Sequence, residues 1–483
     1  MTKETVHDCC TSSANGNGRS PDLAVIGAGS AGFAAAIRAA ELGANVILIG
    51  HGVIGGTCVN IGCVPSKTLI RAVETLHQAR AASRFAGIEG SGRIGDWRAV
   101  VAQKNELVSA LRQARYVDIL PAYNGIAYID GPARLTSDGV AVDGALYTPG
   151  KTIIATGASQ ATAAIPGIDT VSALDSTTAL ALDKLPRSLV VIGGGFVGCE
   201  LGQLFARAGV EVTISCRSRL LPQAEPEIAD ALGRYLRDEG IDLLCGITYQ
   251  SIGKSGDGAV LAVREGGAAE RTVAAEAVLV ATGRTPNTAG LGLGEVAIET
   301  TPNGGIKVDD RLRTTRCGVY AAGDVTGRDM FVYMAAYAGK IAAENALNGD
   351  GRRYDDTAMP GVTFTDPQVA SVGLTEAEAL KRGLAPRAVT LSLDQVPRAL
   401  AARDARGLVK LVADRRTGKL LGAHILAPEA GDSIQTAALA IKQGLTVTDL
   451  AETIFPYLTT VEALKLAALG FTRDVTKLSC CAG

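Results

Sequence analysis

Residues Asp22-Leu-Ala-Val-Ile-Gly27-Ala-Gly29-Ser-Ala-Gly32 carry a short apolar run into a glycine turn, and Ala34 to Leu42 follows as an alanine-rich stretch of good helix propensity. Gly27, Gly29 and Gly32 fit the G-x-G-x-x-G spacing, and Ala44 to Ile49 supplies a second apolar strand, so the segment reads as a βαβ unit for a dinucleotide. The glycines matter because a pyrophosphate must come close to the backbone at a helix N-terminus, where unpaired N–H groups and the helix dipole favour negative charge. One such match is weak. The pattern returns at Leu189-Val-Val-Ile-Gly193, with Gly193, Gly195 and Gly198, then a helix through Arg207 and a strand from Glu211 to Ser215. Two nucleotide units in one chain is a much narrower statement.

The residues after each second strand distinguish the nucleotides. An NAD site places an acid there, on the ribose hydroxyl, whereas a 2′-phosphate calls for arginine. The second unit continues Ser215-Cys216-Arg217-Ser218-Arg219, with no carboxylate and two guanidinium groups, so NADPH is expected on Arg217 and Arg219. In the first unit Ile49 is followed by Gly50 where an acid is expected, which leaves its ribose contact unassigned.

Composition bounds the rest. A length of 483 residues allows about three domains at ~150 residues each. Lys+Arg 47 against Asp+Glu 49 gives a net charge of -2, so no broad positive field exists for nucleic acid or an anionic membrane. No apolar run approaches the roughly 18 to 20 residues that span a bilayer. The polar start, residues 1–20, lacks the apolar core of a secretory signal and reads as a loose tail on a cytoplasmic protein. Ten cysteines are too sparse for a secreted disulfide framework. Single Cys199, Cys216, Cys245 and Cys317 read as buried small hydrophobes. Four histidines, none at His-x3-5-His spacing, argue against structural zinc.

Further apolar strands end in Ala155-Thr156-Gly157, Ala281-Thr282-Gly283-Arg284 and Tyr320-Ala-Ala-Gly323-Asp324, each setting small residues beside a bound dinucleotide. Past a linker at Asn348-Gly-Asp-Gly351, runs such as Leu408 to Val412 and Leu420 to Leu426, with a helical stretch near Ser433 to Gln443, indicate a separate α+β domain. The fold class is α/β, with two Rossmann-like dinucleotide-binding domains and a C-terminal α+β dimerisation domain.

Between the first βαβ unit and its helical sequel stands Gly55-Gly56-Thr57-Cys58-Val-Asn-Ile-Gly62-Cys63-Val-Pro65-Ser-Lys67. On a regular helix, positions five apart point about 140° away from one another, so bridging Cys58 to Cys63 needs a distorted turn, which Gly62 and Pro65 permit. A disulfide there closes a very small loop and stabilises little, so redox chemistry is its better use.

With both glycine motifs and Gly323-Asp324, this segment resembles the pyridine nucleotide–disulfide oxidoreductases, flavoenzymes that include glutathione reductase and lipoamide dehydrogenase, over nearly the whole chain. The resemblance implies FAD on the first unit (Gly27, Gly29, Gly32, Gly56, Thr57, Lys67, Thr156, Gly157, Gly323, Asp324), NADPH on the second (Gly193, Gly195, Gly198, Arg217, Arg219, Gly283), and a homodimer whose C-terminal domains complete each other's active sites. It places Cys63 against the flavin, makes Cys58 the exchanging thiol, pairs Lys67 with Glu200, and sets Asp324 at the ribityl and phosphate region. The implied division is a tail at 1–20, an FAD domain at 21–158 continued at 285–355, an NADPH domain at 159–284, a dimerisation domain at 356–471, and a C-terminal tail at 472–483.

Disulfide-reducing members carry a His-Pro-Thr segment near the C-terminus, whose histidine relays protons and is held by a Glu five residues on. The aligned stretch here is Tyr457-Leu-Thr-Thr-Val-Glu462. A tyrosine with a pKa of about 10 is a poor base at neutral pH, where histidine at about 6.5 suits the task. An electron-pair acceptor whose leaving group needs no proton escapes that handicap. Cys480-Cys481 stands on a tail beside the C-terminus. Adjacent Cα atoms are ~3.8 Å apart, too close for an easy disulfide, whereas a thiolate pair grips a soft ion, and mercury(II) is the softest common candidate.

Together, Tyr457 and the Cys480-Cys481 tail resemble the mercuric-ion-reducing branch of the family. By that resemblance, Cys480 and Cys481 of one subunit collect Hg(II) from thiol complexes and pass it to Cys58 and Cys63 of the other, with Tyr116 and Tyr457 assisting. The alternative is a disulfide reductase of the glutathione or thioredoxin reductase or lipoamide dehydrogenase type, whose histidine base is missing here. A metal-sequestering protein without turnover is opposed by intact Cys58, Cys63, Lys67 and both loops. His7-Asp8-Cys9-Cys10 reads either as a small metal-gathering element or as an incidental pair.

Overall fold

The alternation of apolar residues around the first glycine turn builds a sheet covered on both faces. In the computed structural model, which describes residues 20–266 and 269–477, β1 (Leu23–Ile26) leads into α1 (Ser30–Glu41) and then β2 (Val46–Gly50). The Cys9-Cys10 and Cys480-Cys481 pairs lie outside the described residues. Strands β1 and β2 belong to a five-stranded parallel sheet in the order Val319–Ala321, Lys151–Ile154, β1, β2, Ile126–Asp130. Leu23, Val25, Val46 and Leu48 face one core, and Ala24, Ile26, Ile47 and Ile49 face the other, the period of two expected of a pleated strand buried on both sides. The first core is closed by α1 and the helix Val332–Asn348, whose alanines and Gly339 allow close approach: a Cβ on Gly339 would overlap the Ala31 carbonyl. An antiparallel meander of Ala133–Leu135, Val140–Val142 and Ala145–Tyr147 contributes to the second.

These elements form one of two compact units, made of residues 20–60, Leu107–Ser159 and Arg284–Asp355. It also holds α2 (Gly56–Asn60), a five-residue helix bearing Cys58. The other unit takes Ile61–Glu106, Gln160–Gly283 and Asp356 onward. It begins with α3 (Cys63–Arg80), opened by Cys63 itself. Its nucleotide fold comprises β3 (Ser188–Ile192), α4 (Phe196–Arg207) and β4 (Glu211–Cys216) in a four-stranded parallel sheet ordered Asp242–Cys245, β4, β3, Ala277–Val280. Phe205, Leu201, Leu204 and Ile214 are fully buried in the core that α4 and that sheet share.

The C-terminal part of this unit is a five-stranded antiparallel sheet, ordered Pro360–Thr363, Gln368–Gly373, Leu420–Ala427, Leu408–Asp414, Pro386–Ser392. Helices Ala430–Lys442 and Glu462–Leu469 pack on it through an alanine-rich core. The fold class is therefore α/β with a terminal α+β layer. Among the described residues, no helix is long and apolar enough to cross a membrane.

Candidate active site

Both glycine loops are built for an anion at a helix N-terminus. Gly27 has φ +118° and Gly193 φ +123°, and a Cβ on either would overlap the carbonyl of Ala155 or Ala281. The third glycines, Gly32 and Gly198, press against the Gly27 and Gly193 carbonyls. The middle pair differs: a Cβ on Gly195 would meet nothing within 4 Å, and one on Gly29 would meet only the Gly56 Cα at 3.5 Å. Gly29 and Gly195 are the N-caps of α1 and α4, and neither helix has a side-chain cap or an acid in its first turn. The N–H groups at these helix ends therefore face open space at the middle glycines, which is what a pyrophosphate requires.

Around the first loop the expected residues are tied together. The Gly55 N–H donates to the Ala28 carbonyl at 2.9 Å, and Gly56, at φ +67°, lies against Gly29. Asn60 Nδ2 donates to the carbonyls of Ile54 and Gly56, both at 2.9 Å, and its Oδ1 accepts from Arg112 at 3.3 Å. The segment bearing Cys58 is thereby held from behind. Arg284 donates to Thr57 Oγ1 at 3.3 Å and to the Ala158 carbonyl, and its Nε stands 3.8 Å from Asp324. Burial pushes the Asp324 carboxyl above the usual range, with Arg284 opposing. Thr156 and Gly157 are clamped by Asn287: Thr156 Oγ1 donates to the Asn287 carbonyl at 2.7 Å, and the Asn287 N–H donates to Gly157 at 2.9 Å. Arg284, Asn287 and Asn60 were not singled out in the sequence; Arg284 directly follows the Thr282-Gly283 strand end, and that position was the available signal.

Tyr116 falls in a π-helical turn, Gln113–Val117, and stacks edge-on to Phe33 with ring centroids 4.9 Å apart. A Cβ on Gly55 would stand 3.2 Å from its ring, so the tyrosine is packed beside the segment that carries Cys58.

In the second unit, Lys67 on α3 donates to Glu200 Oε2 at 2.6 Å, and the other oxygen of Glu200 accepts from the Phe364 N–H at 2.9 Å. The Lys67 ammonium also lies 4.7 Å from the centre of the Phe364 ring. Glu200 is 6% exposed, so this pairing satisfies a nearly buried carboxylate. Both border a cavity of about 300 Å³ that also touches Arg71, Gln203, Asp366 and Thr460. Tyr457 is 48% exposed, next to Leu458 at φ +60°. Glu462, the carboxylate that would steady a histidine, instead accepts from the Leu458 N–H at 3.1 Å, and burial raises its pKa.

At the end of β4, Arg217 is exposed. Arg219 is engaged: its Nη2 donates to the carbonyls of Pro222 (3.0 Å) and Ala224 (2.6 Å), while its Nη1 is buried with no hydrogen-bond partner among the described residues. The four single cysteines do not all behave as buried hydrophobes. Cys199 and Cys216 are buried, but Cys245, the last residue of its strand, is half-buried, and Cys317, in a turn, is exposed.

A family model described as pyridine nucleotide-disulphide oxidoreductase matches residues 21–339, and that family's dimerisation domain matches residues 359–468. The chain belongs to the pyridine nucleotide-disulphide oxidoreductases. Similar members include a mercuric reductase of Streptomyces lividans, 48% identical over 96% of this chain and 98% of that protein. Another, from Bacillus cereus, is 47% identical over 96% of this chain and 73% of that protein. Among solved structures, the HOCl-induced flavoprotein disulfide reductase RclA of Escherichia coli, as its Cu(II) complex, superposes with a TM-score of 0.82. It is 31% identical, covering 94% of this chain and all of that one. As a member of this oxidoreductase family the chain uses FAD and NADPH, and the uncapped helix ends and open middle glycines fit both.

Proposed function

We propose that this chain is a cytoplasmic, homodimeric, NADPH-dependent flavoenzyme that reduces Hg(II) to Hg(0): Hg(II) + NADPH gives Hg(0) + NADP+ + H+. The observation that carries this reading is the Tyr457–Glu462 segment, where a tyrosine replaces the proton-relaying histidine and the retained glutamate bonds a backbone N–H. Supporting it, mercuric reductases are 41 to 48% identical to this chain over most of its length. FAD, when bound, would supply a two-electron relay between NADPH and the thiol pair.

The chain's own residues do the rest. Gly29 and the α1 N-terminus would hold the FAD pyrophosphate, with Asp324 and Arg284 as the nearby charges; Gly195 and the α4 N-terminus would hold that of NADPH, with Arg217 meeting its 2′-phosphate. The ladder sets Asp130 opposite Gly50, so the acid missing from β2 stands one strand over and is our candidate for the flavin ribose. A Cβ on Gly50 would overlap the Tyr128 hydroxyl, so β2 itself has no room for that acid. Cys480 and Cys481 take Hg(II) from small-thiol complexes and hand it by ligand exchange to Cys58 and Cys63 of the partner subunit. Two thiolates bind the soft ion, and no proton is needed for either sulfur to leave. Tyr116 and Tyr457 assist that transfer, and Lys67 is fixed by Glu200. Exposed Ile454, at 93%, and the exposed Tyr457–Leu458 pair suit a surface covered in the dimer.

NADPH oxidation with mercuric chloride in excess small thiol, run beside oxidised glutathione and oxidised thioredoxin, tests the proposal. Turnover with mercury alone is expected. Brisk turnover of either disulfide without mercury turnover would overturn it.

A further inference from the structure

The strand Asp242–Cys245 is the parallel neighbour of β4, and the register sets Cys216 opposite Cys245 at the C-terminal edge of the sheet, where doubly wound folds meet their nucleotides. Their Sγ atoms are 3.3 Å apart, with Cys216 as donor. Neighbouring strands run about 4.8 Å apart, inside the Cα separation of roughly 4.4 to 6.8 Å that a disulfide spans, so an S–S bond needs the sulfurs to close by only about an ångström. Cys216 is 5% exposed, whereas Cys245 is half-buried and open to a small reagent.

The pair is wired to the second nucleotide loop. The Ser218 carbonyl lies 3.8 Å from Cys216 Sγ and accepts from the Gly246 N–H at 2.6 Å, and the Leu221 N–H donates to the Gly194 carbonyl at 2.8 Å. A Cβ on Gly194 would stand 3.1 Å from Cys216 Sγ. The sulfurs therefore lie under the loop between Gly193 and Gly195 and beside the segment that carries Arg217 and Arg219. The hydrogen bond from Cys216 holds the Cys245 thiol below its ordinary pKa against the effect of burial, helped by Arg237 and a backbone N–H from Leu220. The same contact and burial push Cys216 up. Cys245 is thus the nucleophile and Cys216 the resolving thiol.

We propose that Cys216 and Cys245 form a second dithiol–disulfide couple, oxidised by hydroperoxides, that sets nucleotide affinity at the Gly193–Gly198 loop. The Cys245 thiolate attacks a peroxide oxygen; the O–O bond breaks, giving the Cys245 sulfenic acid and hydroxide or alkoxide. Cys216 then attacks the sulfenyl sulfur; the S–S bond forms, the S–O bond breaks, and the Cys216 proton leaves with water. Two thiols lose two electrons and two protons, and the peroxide becomes water and an alcohol, or two waters from hydrogen peroxide. The disulfide withdraws Cys216 from Ser218 and weakens Cys245 as acceptor for Leu220, loosening the loop. The affinity effect rests on placing NADPH on that loop; formation of the bond does not.

The test treats the full flavin-loaded chain with hydrogen peroxide, caps remaining thiols, maps peptides without reduction, and measures NADP+ binding by calorimetry. A Cys216–Cys245 linked peptide, reversed by excess dithiol, is expected, with NADP+ affinity weakened about tenfold, the scale of one lost net hydrogen bond. Cys245→Ser should abolish both changes, and Cys216→Ala should leave a sulfenic acid on Cys245 that a dimedone probe traps. No linked peptide in the wild-type chain overturns the couple. A linked peptide with unchanged NADP+ affinity overturns the coupling, and an untreated Arg217→Ala chain that binds NADP+ as tightly as wild type overturns the placement of NADPH while the peptide map still decides the couple.

Discussion

In both nucleotide loops the outer glycines are closed in by backbone, and the middle ones, Gly29 and Gly195, open onto space; beyond the loops, the two regions part. The first continues into Gly50, closed over by the Tyr128 hydroxyl, whereas the second continues into Cys216-Arg217-Ser218-Arg219. On the proposed reading, the shared geometry at the turn would hold a pyrophosphate and the residues one strand further would select the nucleotide. On that reading the glycines of one motif have separable duties, two in packing and one in binding.

The sharpest way to break that comparison is Gly32→Ala or Gly198→Ala. Each adds a methyl against a backbone carbonyl that cannot turn aside, so a loss of about 3 kcal/mol or more is expected, read as a lowered denaturation midpoint before any cofactor is added. Gly29→Ala and Gly195→Ala meet no obstruction and sit at φ -97° and -80°, which alanine adopts freely. Their apo stability should change by less than ~0.5 kcal/mol, while FAD retention (Gly29→Ala) or the NADPH KM (Gly195→Ala) worsens about a hundredfold. Equal destabilisation by all four variants would contradict the division of duties.

The two arginines sharpen the nucleotide side. Arg217→Ala should raise the NADPH KM about tenfold and leave that for NADH nearly unchanged, since a charge-assisted phosphate contact is lost. Arg219→Ala removes the donor to Pro222 and Ala224 and should lower stability by about 1 kcal/mol, seen in thermal unfolding of the apo chain. The smallest effect is expected in the first unit: Asp130→Asn should weaken FAD binding about threefold, the scale of a single exposed hydrogen bond, measured by flavin release on dilution.

Much of this was legible in the residues. The glycine spacing and apolar runs gave both βαβ units, although α1 begins at Ser30 rather than near Ala34, because Gly29 acts as N-cap and Ser30 to Phe33 already form its first turn. In the stretch from Gly55 to Lys67, the expected pairing of Lys67 with Glu200 is present at 2.6 Å. What stayed hidden depends on which strands are neighbours. Cys216 and Cys245 are 29 residues apart, and only the sheet order makes them touch. Asp130 likewise stands opposite Gly50 through register alone. Arg219 looked equivalent to Arg217 in the sequence, but a tight turn to Pro222 and Ala224 consumes much of its donor capacity. The carbonyls it serves carry no side-chain signature.

The most direct measurement of the central claim is elemental mercury vapour swept from a sealed reaction of the flavin-loaded chain, NADPH and a mercuric thiol complex. One Hg(0) released per NADPH oxidised is predicted, with release slowed after Cys480→Ala/Cys481→Ala and abolished after Cys58→Ala. NADPH consumed without mercury vapour, or vapour undiminished by loss of Cys58, would contradict the account.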